Sequence, residues 1–313
     1  MRRAFKPMCH GPRTLAVAVL FLAALAVAVS PSDATFSGPN GLLVYQKQVG
    51  KHIQLFSVKP DGTAVRQLTH FSDSDAIQPA WSANGERIAF VRDFLAGRFN
   101  EHGDIYTMNA DGGDMRPLGI RGKNFWPSWS PDGRRIVFLH PGLLRIVNAD
   151  GSHLTQVRLA GGATSPVFSP KGNRIALVRF LGDHKASIFV ANAAGKDMRR
   201  LTPPGRGLAD KIDWSPDGSR FVFSSPEFDR PGRAANVFTI RTDGSAQKQL
   251  THDRGDVVED GADSWSPDGK KIAFVKFRHG VFQIYVMGAD GTHVVRVTHS
   301  AAGGHLAAWG THR

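Results

Sequence analysis

The chain has 313 residues, 41% of them hydrophobic, with one cysteine and a formal net charge of +12. That is ample for a packed core and too short for several large domains. Its 34 glycines and 18 prolines argue against disorder and for many short strands joined by tight turns.

In chain order, the first feature is a targeting segment. Arg2, Arg3, Lys6 and Arg13 make a basic start, Leu15 to Val29 is an apolar run of 15 residues, and Ser32-Asp33-Ala34 offers small residues at −3 and −1 of a cleavage site. Residues 1–34 therefore read as a secretory signal. The alternative is an uncleaved anchor, although the run is shorter than the about 20 residues that a span needs. Cys9 precedes the apolar run, so it is not the cysteine of a lipoprotein signal. Cleavage after Ala34 would leave 279 residues, 35–313, without cysteine and with a net charge of +9. The protein is thus expected to be exported, periplasmic or extracellular, or membrane-anchored if the segment is kept. The positive charge suits anionic lipid, acidic polysaccharide or nucleic acid, or is simply a solvated surface. No Lys/Arg run interleaved with aromatics appears, and export argues against nucleic acid.

From residue 42 onward two phrases alternate. The first runs Trp81-Ser-Ala-Asn-Gly-Glu-Arg-Ile-Ala-Phe-Val91, and returns from Trp129, Phe168, Trp214 and Trp265, mostly as Ser-Pro-Asp-Gly followed by a basic residue and Ile-Ala-Phe-Val. A truncated copy, Ala308-Trp309-Gly310, ends the series, and the spacings are 48, 39, 46, 51 and 44 residues. The second phrase has six copies, such as Ile105-Tyr-Thr-Met-Asn-Ala-Asp-Gly112 and Ile284-Tyr-Val-Met-Gly-Ala-Asp-Gly291. Proline presets φ and glycine accepts φ > 0, so both phrases hold hairpin turns. A period of this length is one four-stranded sheet, which buries both faces only when stacked radially with others.

Ahead of the first full repeat stand only three strands, Leu42–Tyr45, Ile53–Val58 and Val65–Thr69, and after the last repeat only one, ending at Trp309. The carboxy terminus therefore supplies the missing strand of the first blade. The expected fold is an all-β, six-bladed β-propeller over residues 35–313, closed by a carboxy-terminal strand.

The Trp-Ser-Pro-Asp-Gly-x-x-Ile-Ala-Phe and Ile-Tyr-x-Met-Asn-Ala-Asp-Gly phrases resemble the WD-like repeats of the TolB propeller family over residues 41 to 311. The resemblance implies an exported module that binds protein in the cell envelope. Members of that family carry an α/β domain ahead of the propeller, for which this sequence has few residues. Similar blades also accompany peptidases of the prolyl-oligopeptidase group, whose chemistry sits in a separate hydrolase domain.

In such a blade the repeated Asp-Gly turns lie at one end and the irregular loops at the other, where binding residues concentrate. The loops at 70–80, 203–213 and 252–264 carry Asp73 and Asp75, Asp210 and Asp213, and Asp253, Asp256, Glu259, Asp260 and Asp263. A carboxylate ring there could hold Ca²⁺, receive a basic segment of a partner, or simply be solvated. His70, His252, His299 and His305 are candidates for metal ligands or for a surface pattern inherited with the repeat. Arg121, Lys123 and Trp126 make one loop basic and aromatic, with Trp126 either a binding hot spot or a wedge under the next blade.

No Gly-x-Ser-x-Gly elbow, His-Glu-x-x-His or phosphate loop is present. The expectation is a non-enzymatic, monomeric envelope module that binds a protein. The alternative is a lyase or hydrolase of an envelope polysaccharide using one of the four histidines.

Overall fold

The computed structural model describes residues 37–94, 102–182, 185–202, 205–206, 211–225, 235–253 and 260–312. By contacts the chain divides into Met1–Pro31 and Ser32–Arg313, and every described residue belongs to the second unit. The targeting segment expected at 1–34 lies outside the described residues.

Six sheets follow one another along the chain. Blade 1 contains β1 (Asn40–Val49), β2 (His52–Val58) and β3 (Arg66–Gln67), and blade 2 contains β4 (Asp75–Trp81), β5 (Arg87–Asp93), β6 (Gly103–Asn109) and β7 (Arg116–Pro117). Blade 3 is β8 (Phe125–Trp129), β9 (Arg135–His140), β10 (Leu143–Asn148) and β11 (Thr155–Arg158). Blade 4 is β12 (Ala163–Phe168), β13 (Arg174–Gly182), β14 (Lys185–Asn192), β15 (Arg199–Arg200) and β16 (Gly205–Arg206). Blade 5 is β17 (Ile212–Trp214), β18 (Arg220–Ser225), β19 (Asn236–Arg241) and β20 (Lys248–Gln249). Blade 6 is β21 (Asp260–Trp265), β22 (Lys271–Arg278), β23 (Val281–Gly288) and β24 (Val295–Arg296), after which β25 (His305–Thr311) ends the chain.

All pairings are antiparallel, and β25 joins blade 1 in the order β25-β1-β2-β3, with Leu43 opposite Trp309 and Val44 opposite Ala308. The inner strands β4, β8, β12, β17, β21 and β25 touch in that order, and β25 returns to β4, so the ring closes. The six-bladed propeller and its carboxy-terminal clasp are as the repeats imply. Two details differ. Most outer strands shrink to two residues, which leaves little open edge for a second chain to pair with. In blade 4, residues 205–206 extend that outer edge by pairing with β14, where the sequence pattern expects a loop.

Each blade is sandwiched between two others, so its middle strands are apolar on both faces. In β5, Ile88, Ala89, Phe90 and Val91 have no exposed surface. The repeat aromatics Trp81, Trp129, Phe168, Trp214, Trp265 and Trp309 are all buried at the blade interfaces. Each such tryptophan removes on the order of 150–250 Å² from water, several kcal/mol gross at about 25 cal/mol/Å².

The turn chemistry is local. In Ser130-Pro-Asp-Gly133 the Asp132 carboxylate accepts from Arg134 N (3.0 Å), Ser130 Oγ accepts from Arg135 N (2.9 Å), and Gly133 takes φ +65°. Burial pushes the Asp132 carboxyl upward, but Ser130 and Arg134 N outweigh it and hold the group below its usual value. The second turn also sets the spacing between blades. Gly112 has φ +88°, and a Cβ there would stand 2.6 Å from the carbonyl oxygen of Leu68 in blade 1. Gly142, with φ +72°, has open space around it. Gly142→Ala is therefore expected to cost about 1 kcal/mol, for the left-handed backbone alone. Gly112→Ala is expected to cost at least ~1 kcal/mol more, because the neighbouring backbone must move. Urea denaturation of both variants checks this, and equal losses would contradict a spacing role for Gly112.

Candidate functional site

The inner strands bend at one shared position. Gln78, Trp126, Ser165 and Leu306 each stand three residues before the repeat aromatic, and all have φ between +49° and +57°. Ladder register shifts beside all four, and also in β21 between Ala262 and Ser264. A bulge frees main-chain N–H groups from the ladder, and a buried N–H must find another acceptor. Here the neighbouring blade provides it. Gln78 N donates to Gln46 Oε1 (2.9 Å), Trp126 N to Gln78 Oε1 (2.7 Å), and Ile212 N to Ser165 Oγ (3.1 Å). Nearer the aromatic, Trp265 N donates to Asp213 Oδ2 (2.9 Å) and Trp309 N to Ser264 Oγ (3.3 Å). Lys211 Nζ reaches past β21 to the carbonyl of Ala307 (2.6 Å).

These residues surround a central cavity of about 90 Å³, walled by Trp81, Trp129, Trp309 and Trp126 among others. That is room for several waters but well below the roughly 300–1,000 Å³ of small-molecule sites. A larger open groove of about 730 Å³ lies at the opposite, turn end between blades 5 and 6, beside Arg220, Lys248, Asp268 and Ser37. The sequence pattern gave no reason to look there.

The acids singled out in the loops have distinct fates. Asp75 is the first residue of β4 rather than a loop residue; it is buried and accepts from Ile53 N (2.9 Å) and His52 Nδ1 (3.2 Å), tying blade 2 to blade 1. Asp213 likewise belongs to β17 and ties blade 5 to blade 6. Asp73 is exposed and pairs with Arg92 (3.1 Å), and its carboxyl is held low by Ser74 Oγ and then Arg92. Asp260 and Asp263 lie on β21, but their side chains, like all of Asp210, Asp256 and Glu259, lie outside the described residues. Among the described residues, no three His, Cys, Asp or Glu side chains stand together as a metal site.

His70, His252 and His299 are exposed on blades 1, 5 and 6. His305 is different. Its Nε2 lies 2.6 Å from Gln46 Nε2, and its ring is 5.4 Å from that of Phe282. Because Gln46 Oε1 already accepts from Gln78 N, the amide nitrogen must face His305, whose Nε2 therefore accepts as the neutral ring. Burial pushes this histidine down to about 4.

Trp126 is half-buried. It packs on the core of Val137, Leu139 and Phe168 while lining the channel, so it wedges and keeps a face open at once. Arg121 and Lys123 are exposed beside it. A further feature is carried by no motif, because it is a distribution of charge. Residues 116–206, essentially blades 3 and 4, carry 15 Lys/Arg against four Asp, whereas the rest of the chain carries 24 against 23. The signal in the sequence is the charge summed blade by blade.

Comparison with known proteins agrees with this architecture. Residues 143–311 match the family model of the TolB beta propeller domain. An uncharacterised protein of Agrobacterium fabrum is 30% identical over 182 residues, 56% of this chain; the chain spans 59% of that curated relative's length. TolB from Acinetobacter baumannii superposes with a TM-score of 0.73 at 18% identity, over 87% of this chain and 67% of that one. Oligogalacturonate lyase in complex with manganese superposes at 0.52 and 15% identity, over 74% of this chain and 70% of that one. At these identities both structures share the fold alone.

His305 has a measurable consequence. Its ring titrates near 6.5 when unfolded and near 4 when folded, so between these values the unfolded state binds the extra proton. Stability is expected to fall by about 3 kcal/mol as pH drops through that window and to level off below it, as far as this group contributes. Urea midpoints measured from pH 7.5 to 4 should show this slope in the native protein and lose it in His305→Gln. The same slope in both proteins would contradict the assignment.

Proposed function

Because the chain belongs to the TolB β-propeller family, we propose that it is an exported, non-enzymatic module that holds a protein partner in the cell envelope. It does so through the loop end of the ring, as a monomer and without a cofactor. What supports this reading most is the state of the channel. Several polar groups lining it are engaged in bonds between blades, and the remaining space is too small for an organic ligand. Recognition then falls to the exposed loop end, where Trp126 offers a large ring held by both the bulge and the core behind it. Chemistry on an envelope polysaccharide would need a base or a metal set. Three of the histidines considered for it stand apart on three blades, and His305 is turned to Gln46.

The test is crosslinked affinity purification of the tagged protein from its own envelope. The expected result is one protein recovered stoichiometrically from native protein and lost with Trp126→Ala or with charge reversal at Asp260 and Asp263. Recovery of no protein, or equal recovery with both the Trp126 variant and the charge-reversed one, would overturn the reading.

A further inference from the structure

At the loop end, the second strand of each blade finishes with one recurring position. In blades 1 to 6 it is Lys47, Arg92, His140, Arg179, Ser225 and Lys276, each two residues beyond a buried residue that is paired across to the third strand. The third-strand partner is aromatic in five blades: Phe56, Tyr106, Phe189, Phe238 and Tyr285. Where the position is Lys or Arg, the cation lies over that ring, at 4.9 Å for Lys47 on Phe56, 5.6 Å for Arg92 on Tyr106, 4.7 Å for Arg179 on Phe189 and 5.9 Å for Lys276 on Tyr285. In two blades a carboxylate from the preceding loop completes the arrangement. Asp73 takes Arg92 with both oxygens (3.1 and 3.2 Å), and Asp253 takes Lys276 and Arg278.

Blade 3 breaks both rules. The aromatic position is occupied by Arg145, opposite Phe138, so His140 meets a guanidinium instead of a ring. The carboxylate position is reversed as well: Asp73 stands eight residues before Trp81, and eight residues before Trp129 stands Arg121. Lys123 follows on the same exposed loop. Among the described residues, neither Arg121 nor Lys123 has a carboxylate partner. Between them, Gly122 N donates to Asp104 Oδ1 of blade 2 (3.1 Å).

Arg145 itself is half engaged. One terminal nitrogen donates to Asn124 Oδ1 (3.1 Å), while Nε is buried without a partner, as is His140 Nδ1. The free edge of a guanidinium, Nε with its neighbouring terminal nitrogen, is the edge that forks onto a carboxylate or phosphate. Burial, and after it the charge of Arg145, lower His140 from its ordinary value; the main chain of Lys123 acts the other way and is outweighed. Burial lowers Arg145 also.

We infer that the loop end of blade 3 is an anion site that takes one carboxylate or phosphate group from solution, bound by Arg145 with Arg121, Lys123 and His140 around it. The anion does for blade 3 what Asp73 does for blade 2. The basic surplus of residues 116–206 raises the local concentration of anions there. The site stands independently of the protein-binding reading.

The experiment follows His140 by ring nitrogen–proton NMR in the full-length chain at low ionic strength. Inorganic phosphate is titrated in one arm and glutarate in the other. A saturable shift of the His140 ring with either anion is expected, and the arm that responds identifies the group. Arg121→Asp restores a carboxylate in place of the loop acid, and is expected to weaken binding about tenfold or more. Arg134→Gln, on a turn at the far end of blade 3, is expected to leave it unchanged. Arg145→Gln is expected to abolish binding; if that variant fails to fold, the exposed substitution Arg121→Asp is the deciding one. No saturable shift with either anion, or equal affinity in Arg121→Asp, would overturn the inference.

Discussion

Six sheets converging on one axis must bring six inner strands closer than flat ladders permit. The protein meets this constraint by bending inner strands at a common position, where Gln78, Trp126, Ser165 and Leu306 take left-handed backbone. Each bend releases main-chain donors that would be costly to bury unpaired. At Gln78 and Trp126 the freed donor is the residue's own N–H, taken up by a side chain of the preceding blade; the N–H of Ile212, at the start of β17, is taken up by the preceding blade in the same way. The bonds that repair the ladder are thus the bonds that join the blades.

This coupling runs into the clasp. His305 of the closing strand, Gln46 of blade 1, Gln78 of blade 2 and the main chain of Trp126 in blade 3 form one hydrogen-bonded series. Its directions are set by Gln46, whose carbonyl is already committed, which is why His305 must stay neutral. Lys211 adds a second tie to the closing strand from blade 5. A channel built this way is an axle more than a pocket.

Much of the fold was legible because its determinants are local and repeated. Ser-Pro-Asp-Gly and Ala-Asp-Gly each close their own hairpin within a few residues, so six copies announce six sheets, and the orphan strands at either end announce the clasp. The site was less legible because its determinants are pairings between blades. Asp75 and Asp213 read as loop acids, yet each faces a main-chain donor about 20 to 50 residues away. Whether β4 begins at Asp75 or a few residues later is decided by that partner and not by any signal nearby. Arg145 was passed over for a related reason: it sits inside a strand phrase, and only the pairing with Phe138 shows that it replaces an aromatic.

The recurring position at the end of the second strand then differs from blade to blade. In blades 2 and 6 it is a cation paired with a neighbouring carboxylate, and in blade 3 it is His140, set beside Arg145. A single scaffold position therefore yields an ion pair in one blade and a histidine beside an arginine in another. Such variation on a rigid repeat is how a propeller acquires a distinct face without altering its core.

The central claim is that the carboxy-terminal strand is an integral part of the ring and not an appendage to it. Native-state hydrogen exchange of the amides paired between β1 and β25, Val44 and Ala308 foremost, tests this most directly. If the clasp closes the ring, these amides open only with the whole propeller, with the same opening free energy as Phe138 in β9 and Phe274 in β22. Exchange at Ala308 that is faster and insensitive to global stability would show that the ring holds without its last strand.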